Sequence, residues 1–291
     1  MNIGTAITVA PGVAVTNCHV TRNAASVRLV KRGERWPVAG QVADWNHDLC
    51  FLSVPSWPGM PISLAPPGEL NLYEPVVAAG FTRGADLSMR QGEITGLHGY
   101  EGERIIQSTS RFSSGASGGA LLDREGRLVG VLTFRLKGTQ NQFFSVPAAW
   151  VRDRLPIPAE LFEPIDPGNG GHAFWEGGCC VPYFMQAGAL RERARWSELL
   201  EFAERWIAYD PEDADAWLAR GLALARLGRL DDAVTALERA IGIAPRHTEA
   251  WYEFGAANIA LGDVDAAARA RATLVEVGSE LADRLAVAGH K

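Results

Sequence analysis

Residues 114–120 read Ser114-Gly115-Ala116-Ser117-Gly118-Gly119-Ala120. Glycines on either side of a serine let the backbone turn sharply and come close to another molecule. A hydroxyl is a weak nucleophile, so the loop gains chemical meaning only with a base nearby. Two upstream segments supply the missing groups. They are Thr16-Asn17-Cys18-His19-Val20 and His47-Asp48-Leu49-Cys50-Phe51-Leu52. An imidazole with a near-neutral pKa suits the base. A carboxylate beside it fixes the tautomer and stabilises the imidazolium. Each signal is weak by itself: Gly-Ala-Ser-Gly-Gly is an ordinary flexible turn, His19 an ordinary polar residue, Asp48 an ordinary turn residue. What carries weight is their conjunction, in the order His, Asp, Ser.

The chain between them is β-like. Short Val/Ile/Thr-rich runs at 5–9, 13–16, 26–30, 75–80, 92–97, 104–108 and 128–133 alternate with Gly and Pro. Many short strands at this spacing predict an all-β sandwich or barrel over residues 1–155. Residues 156–182 hold five prolines and several glycines and keep neither period, so they read as a linker. Phe174, Trp175 and Tyr183 could pin that linker against a domain.

From residue 183 the period changes to three and four, with Leu and Ala dominant. Trp217 and Trp251, Ala216 and Ala250, Gly221 and Gly255, Gly228 and Gly262, Ala233 and Ala267, and Pro211 and Pro245 match at an offset of 34. This period and these residue types resemble the tetratricopeptide repeat, two antiparallel helices per unit. A weaker first copy carries Tyr183, Ala187, Leu190, Ala203 and Pro211, and 279–288 suits a capping helix. Residues 183–291 are therefore expected to be an all-α domain of about three repeats. The resemblance implies a surface for a protein partner. A structural or self-association role is the alternative, and Trp217 and Trp251 read as core.

Composition narrows the classes. In 291 residues, hydrophobic types make up 47% and charged types 21%, which are globular values. The net charge of −6 offers no basic face for nucleic acid. No run of about 18 apolar residues predicts a membrane span. The N-terminus shows no export signal and the cysteines number four, so a cytoplasmic chain with free thiols is expected. Cys18 and Cys50 are expected to face each other as buried thiols.

The β half resembles the trypsin-like serine proteases of double-barrel fold, nearest the bacterial HtrA type. That family shows Thr-Asn-x-His-Val, Asp-Leu-Ala-x-Leu and Gly-Asn-Ser-Gly-Gly-Pro. Glu74-Pro75-Val76-Val77-Ala78-Ala79-Gly80-Phe81, Arg90-Gln91-Gly92-Glu93-Ile94-Thr95-Gly96, Gly126-Arg127-Leu128-Val129-Gly130-Val131 and Phe144-Ser145-Val146-Pro147 extend the likeness. The resemblance implies His19 as general base and acid, Asp48 as its orienting partner and Ser117 as nucleophile. Gly115 and Ser117 would form the oxyanion hole. The implied reaction is peptide-bond hydrolysis through an acyl-enzyme, on a protein or peptide, with no cofactor. No metal is expected: His-Glu-x-x-His is absent, and Cys179-Cys180 near His172 has poor ligand spacing.

Ala116 stands where the family has Asn or Asp, so activation by a freed N-terminal amine is not expected. The chain starts close to its first strand, so the first barrel is expected to lack a strand or borrow one. The helical repeats occupy the place of the family's PDZ domain. Arg111 and Arg135 fall where the family builds its specificity pocket and would favour an acidic side chain before the scissile bond. The competing reading is an inert protease-fold scaffold that only binds proteins. Acyl transfer or esterase chemistry on the same residues is a third.

Overall fold

The computed structural model describes residues 2–68, 70–82, 86–136, 142–168, 170–177 and 181–288. The chain forms two compact units, Met1–Val181 and Pro182–Lys291.

The first unit is built from short strands. β1 (Ile7–Ala10), β2 (Val13–Thr16), β5 (Gly40–Asp44) and β6 (Leu49–Ser53) form a four-stranded sheet in the order β1-β2-β6-β5. Between β2 and β5 lie a one-turn helix α1 (Cys18–Thr21) and a hairpin of β3 (Arg28–Lys31) and β4 (Glu34–Pro37). Leu49, Cys50, Phe51 and Leu52 are all buried, so β6 is covered on both faces and sits at the sheet's centre. This half is an open sheet among the described residues. The outer edge of β5 is met from downstream: Gln41 N–H donates to Glu163 O (2.7 Å) and Glu163 N–H donates to Gln41 O (3.0 Å).

The second half closes fully. β7 (Pro75–Phe81), β8 (Leu87–Tyr100), β9 (Glu103–Ser108), β10 (Ala120–Leu122), β11 (Leu128–Leu136) and β12 (Gln142–Pro147) form a closed antiparallel barrel. Closure comes from β10, which pairs with both β11 and β7. Val76, Ala78, Ile94, Ile106, Leu121, Val129 and Leu132 fill it, and Ala116 joins them from the serine loop. A closed barrel leaves no free strand edge and gives that loop a rigid base. Helix α2 (Ala148–Asp153) follows the last strand.

Residues 156–177 do not hang free. They lie along the first unit through the Gln41–Glu163 bridge and a 3₁₀ turn, Phe174–Glu176, whose Phe174 is buried. Aromatic burial explains this: Phe174 meets Tyr100 (centroids 4.9 Å), Trp150 (6.4 Å) and Phe134 (5.9 Å).

Among the described residues the second unit holds seven helices: α3 (Tyr183–Glu192), α4 (Trp196–Tyr209), α5 (Ala214–Arg226), α6 (Leu230–Ile243), α7 (Thr248–Leu261), α8 (Val264–Glu276) and α9 (Leu281–Ala288). The offset of 34 becomes geometry. Trp217 Nε1 donates to Pro211 O at 2.9 Å, and Trp251 Nε1 donates to Pro245 O at 2.8 Å. Gly221 is glycine because α6 lies too close: an added Cβ would sit 2.6 Å from Leu237 Cγ. Ala233, Ala236, Leu237 and Ala240 bury the matching face of α6. No described helix is long and apolar enough to cross a membrane.

Candidate active site

His19 is delivered by the end of β2. Asn17 caps α1, and the strand turns at once into that helix, so the His19 ring leaves the sheet surface. Asp48 comes from the 45–48 turn that leads into β6, at a φ of 58°. Aspartate tolerates that left-handed backbone better than most residues. The two segments are locked together by backbone bonds. Cys18 N–H donates to Asp48 O (3.2 Å) and Asn17 Nδ2 donates to the same oxygen (3.0 Å).

The side chains complete the pair. His19 N–H donates to Asp48 Oδ1 at 2.8 Å, and His19 Nδ1–H donates to Asp48 Oδ2 at 2.6 Å. A third donor, Trp175 Nε1, reaches Oδ2 at 3.2 Å. Asp48 is fully buried, and these N–H groups offset the cost of holding a charge there. The His19 side chain keeps 23% exposure, so its other face is open.

Ser117 lies in the loop between β9 and β10. Gly115 (φ 96°) and Gly118 (φ 83°) flank it in backbone conformations that favour glycine. Gly118 N–H donates to Leu132 O (2.8 Å) and Gly119 N–H donates to Ala116 O (2.8 Å), which fix the loop on the barrel. Thr5 ties it to the other half. Thr5 N–H donates to Ser117 O (2.8 Å), Thr5 Oγ1 donates to Gly115 O (2.8 Å), and Thr16 Oγ1 donates to Thr5 O (2.6 Å). A Cβ on Gly118 would lie 2.2 Å from Thr5 O and 2.3 Å from Thr16 Oγ1. The serine loop therefore presses against the end of the strand that delivers His19. Among the described residues no hydrogen bond joins the Ser117 hydroxyl to the His19 ring. Such contacts tighten when substrate binds.

The N–H groups of Gly115 and Ser117 donate to no protein acceptor among the described residues. Ala116, between them, is buried; Gly80 of β7 is where a Cβ would come within 2.9 Å of Ala116 Cβ. Arg111 and Arg135 are both exposed, with no ion pair among the described residues. Cys179 and Cys180 lie outside the described residues.

One expectation is overturned. Cys18 and Cys50 are not thiols but a disulfide, with Cα atoms 4.8 Å apart. The register is the cause. Thr16 of β2 pairs directly with Cys50 of β6, and the chain then turns, so Cys18 comes back over Cys50. The bond ties the residue before His19 to the second residue after Asp48. Its separation of 32 residues gives, by loop-closure entropy, about 4 kcal/mol of stabilisation. Cys18→Ala with Cys50→Ala should lower the unfolding free energy in guanidinium by up to that amount; an unchanged midpoint would contradict the structural role.

A second acidic–imidazole cluster sits beside the site. His47 Nδ1 donates to Asp44 Oδ2 (2.9 Å), and Nε2 donates to Glu101 Oε2 (2.8 Å). Arg154 also reaches Asp44 (2.7 Å), and Trp150 stacks on the His47 ring (4.0 Å). Burial alone would lower the His47 pKa, but the bonds to Asp44 and Glu101 outweigh it and raise it. Burial works against charge on Asp44 too, but His47 and Arg154 prevail and lower its pKa. Both are charged between their ordinary pKa values, about pH 4 to 6.5. Stability from this pair is lost as pH rises through the raised His47 value, and separately as pH falls through the lowered Asp44 value. His47→Gln should therefore destabilise most near about pH 6, with the gap to wild type closing towards about pH 9 in urea midpoints; a constant gap would contradict the charge pairing.

The fold is a strand-rich barrel domain followed by stacked helical hairpins, and the barrel domain carries the paired His19 and Asp48 and the glycine-framed Ser117. Residues 4–131 match the family model described as trypsin-like peptidase domain, and residues 185–247 and 228–274 match that of the tetratricopeptide repeat. The chain thus carries a trypsin-like peptidase domain followed by tetratricopeptide repeats. The magnetosome formation protease MamE of Magnetospirillum gryphiswaldense is 27% identical over 144 residues, 45% of this chain and 19% of that protein. The periplasmic serine endoprotease DegP of Salmonella typhimurium is 27% identical over 160 residues, 52% of this chain and 34% of that protein. The chain thus spans between about a fifth and a third of the length of these relatives. The active form of the Rv3671c protease from M. tuberculosis shares the fold, with a TM-score of 0.50 at 22% identity over 56% of this chain and 76% of that one.

Two contacts at the site go beyond the sequence: those of Thr5 with the serine loop, and that of Trp175, expected only to pin the linker, with Asp48. Thr5 gave no signal beyond lying in a β-like run. Trp175 did: an aromatic pair, Phe174-Trp175, in a Gly/Pro-rich stretch costs solubility unless something buries it.

Proposed function

We propose that the chain is a serine endopeptidase acting through an acyl-enzyme. The observation that carries this reading is the buried Asp48 carboxylate accepting both the backbone and ring N–H groups of His19. A proton on Nδ1 leaves Nε2 free to act as base. Ser117 Oγ would attack the scissile carbonyl while Nε2 takes its proton. The oxyanion would be met by the N–H groups of Gly115 and Ser117. His19 would then protonate the leaving amine, and water would repeat the sequence to release the acid. No step calls for a cofactor. Arg111 and Arg135, exposed and without an acidic partner among the described residues, would favour a carboxylate side chain before the cut. The helical repeats would bring a protein substrate or a regulatory partner.

The test is mass spectrometry of an unfolded protein incubated with the chain. Internal cuts, enriched after Asp or Glu, are expected. Rapid cutting after Arg or Lys would overturn the specificity assignment, and no cutting at all would overturn the peptidase reading.

A further inference from the structure

Asp48 Oδ2 takes two donors, His19 Nδ1 and Trp175 Nε1. The second comes from outside the barrel, 28 residues beyond Pro147 where the last strand ends. Its ring meets the His19 ring edge-on, with centroids 5.4 Å apart at 90°, and lies flat on Phe134 of β11 (5.5 Å, 17°). One side chain thus touches both members of the pair and the barrel wall.

The segment around Trp175 is fastened at several points. Phe174 N–H donates to Asn46 O (3.0 Å), within the turn that carries Asp48. Arg22, just after the helix that carries His19, donates to Glu176 Oε2 (2.6 Å). Ala173 N–H donates to the same carboxylate (3.1 Å). Gly171 lies against Trp45, where a Cβ would come within 2.4 Å of Cγ. Trp175 is therefore held on the pair by the same two segments that supply it.

We infer that Trp175 is a positioning residue for the His19–Asp48 pair, acting through a hydrogen bond to the orienting carboxylate and an edge contact to the imidazole. This rests on the peptidase reading. Physically, a donor on Oδ2 draws charge from the oxygen that binds the ring. It also fixes the carboxylate plane, so that Oδ2 stays aimed at Nδ1. Without the indole N–H more charge stays on Oδ2, its bond to Nδ1–H tightens, and the carboxylate plane is freer to turn away from the geometry that aims the ring at the serine.

Trp175→Phe keeps an aromatic face and loses only the N–H. The expected result is a fall in kcat on the order of tenfold, with KM little changed, since the net worth of a hydrogen bond to a charged group is of that size. The dependence of kcat/KM on pH should differ from that of wild type. The charged groups near the pair are Arg22, Glu176 and His172 on the Trp175 side, and Asp44, His47, Glu101 and Arg154 beyond the 45–48 turn. All are common to both proteins, so the difference between their profiles isolates the indole.

A readout independent of turnover is the low-field proton resonance of His19 Nδ1–H. It should move further downfield in Trp175→Phe. Superposition of both the resonance and the rate profile on wild type overturns the inference. Failure of the peptidase reading shows differently: wild type itself would not turn over, while the resonance would still report on the indole.

Discussion

Ser117→Ala should abolish peptide turnover while leaving the fold intact. Only the hydroxyl is removed, and the loop's supports do not involve it. Ala116 and Gly118–Gly119 are held through backbone atoms, and Thr5 bonds to the carbonyls of Gly115 and Ser117. The variant keeps the oxyanion donors and loses the nucleophile, so kcat should fall on the order of 10⁶-fold, about 8 kcal/mol of barrier. Hydrolysis at the wild-type rate would assign the nucleophile elsewhere. Circular dichroism and an unchanged unfolding midpoint should accompany the loss.

Asp48→Asn should be nearly as severe, for a reason written in its hydrogen bonds. Three N–H groups enter the two carboxylate oxygens: His19 N to Oδ1, and His19 Nδ1 and Trp175 Nε1 to Oδ2. An amide has one accepting oxygen and one donating nitrogen. With the oxygen at the Oδ2 position, the amide nitrogen faces the His19 backbone N–H. With the amide flipped, the nitrogen faces Nδ1 and forces the proton onto Nε2, where it destroys the base. Such a tautomer change in this type of site costs about 10⁴ in kcat, roughly 5 kcal/mol. A fall of less than about tenfold would mean that Asp48 does not orient the base.

Much of this was legible in the chain, and the reason differs by region. The seven β-like runs all fall within strands or overlap them, because alternation reports a half-buried surface regardless of pairing. Strand alternation alone does not report barrel closure, which depends on β10 meeting β7, a contact between residues some forty positions apart; the family resemblance is what implied a barrel. The helical half was read most completely: a period of 34 is recorded by Trp217, Gly221 and Ala233 independently of their neighbours. The pairing of His19 with Asp48 follows from β2 lying beside β6, which the motifs imply through their order alone.

The one misreading has a plain cause. The Cys18–Cys50 disulfide was set aside on an argument about compartment, whereas strand register decided it. Residues 156–182 read as a linker because Pro and Gly suppress every period. Phe174 and Trp175, the aromatics expected to pin that stretch, anchor it through burial and an indole hydrogen bond. Propensity reports what a segment does alone, not what it does against a barrel wall.

The central claim is that His19 activates Ser117. A fluorophosphonate probe tests it directly, because an ordinary serine hydroxyl does not react with it at a useful rate. Rapid one-to-one labelling mapped to Ser117, and lost in His19→Ala, is the predicted result. Wild type that stays unlabelled, or labelling that persists undiminished without His19, would contradict the account and leave an inert barrel carrying helical repeats.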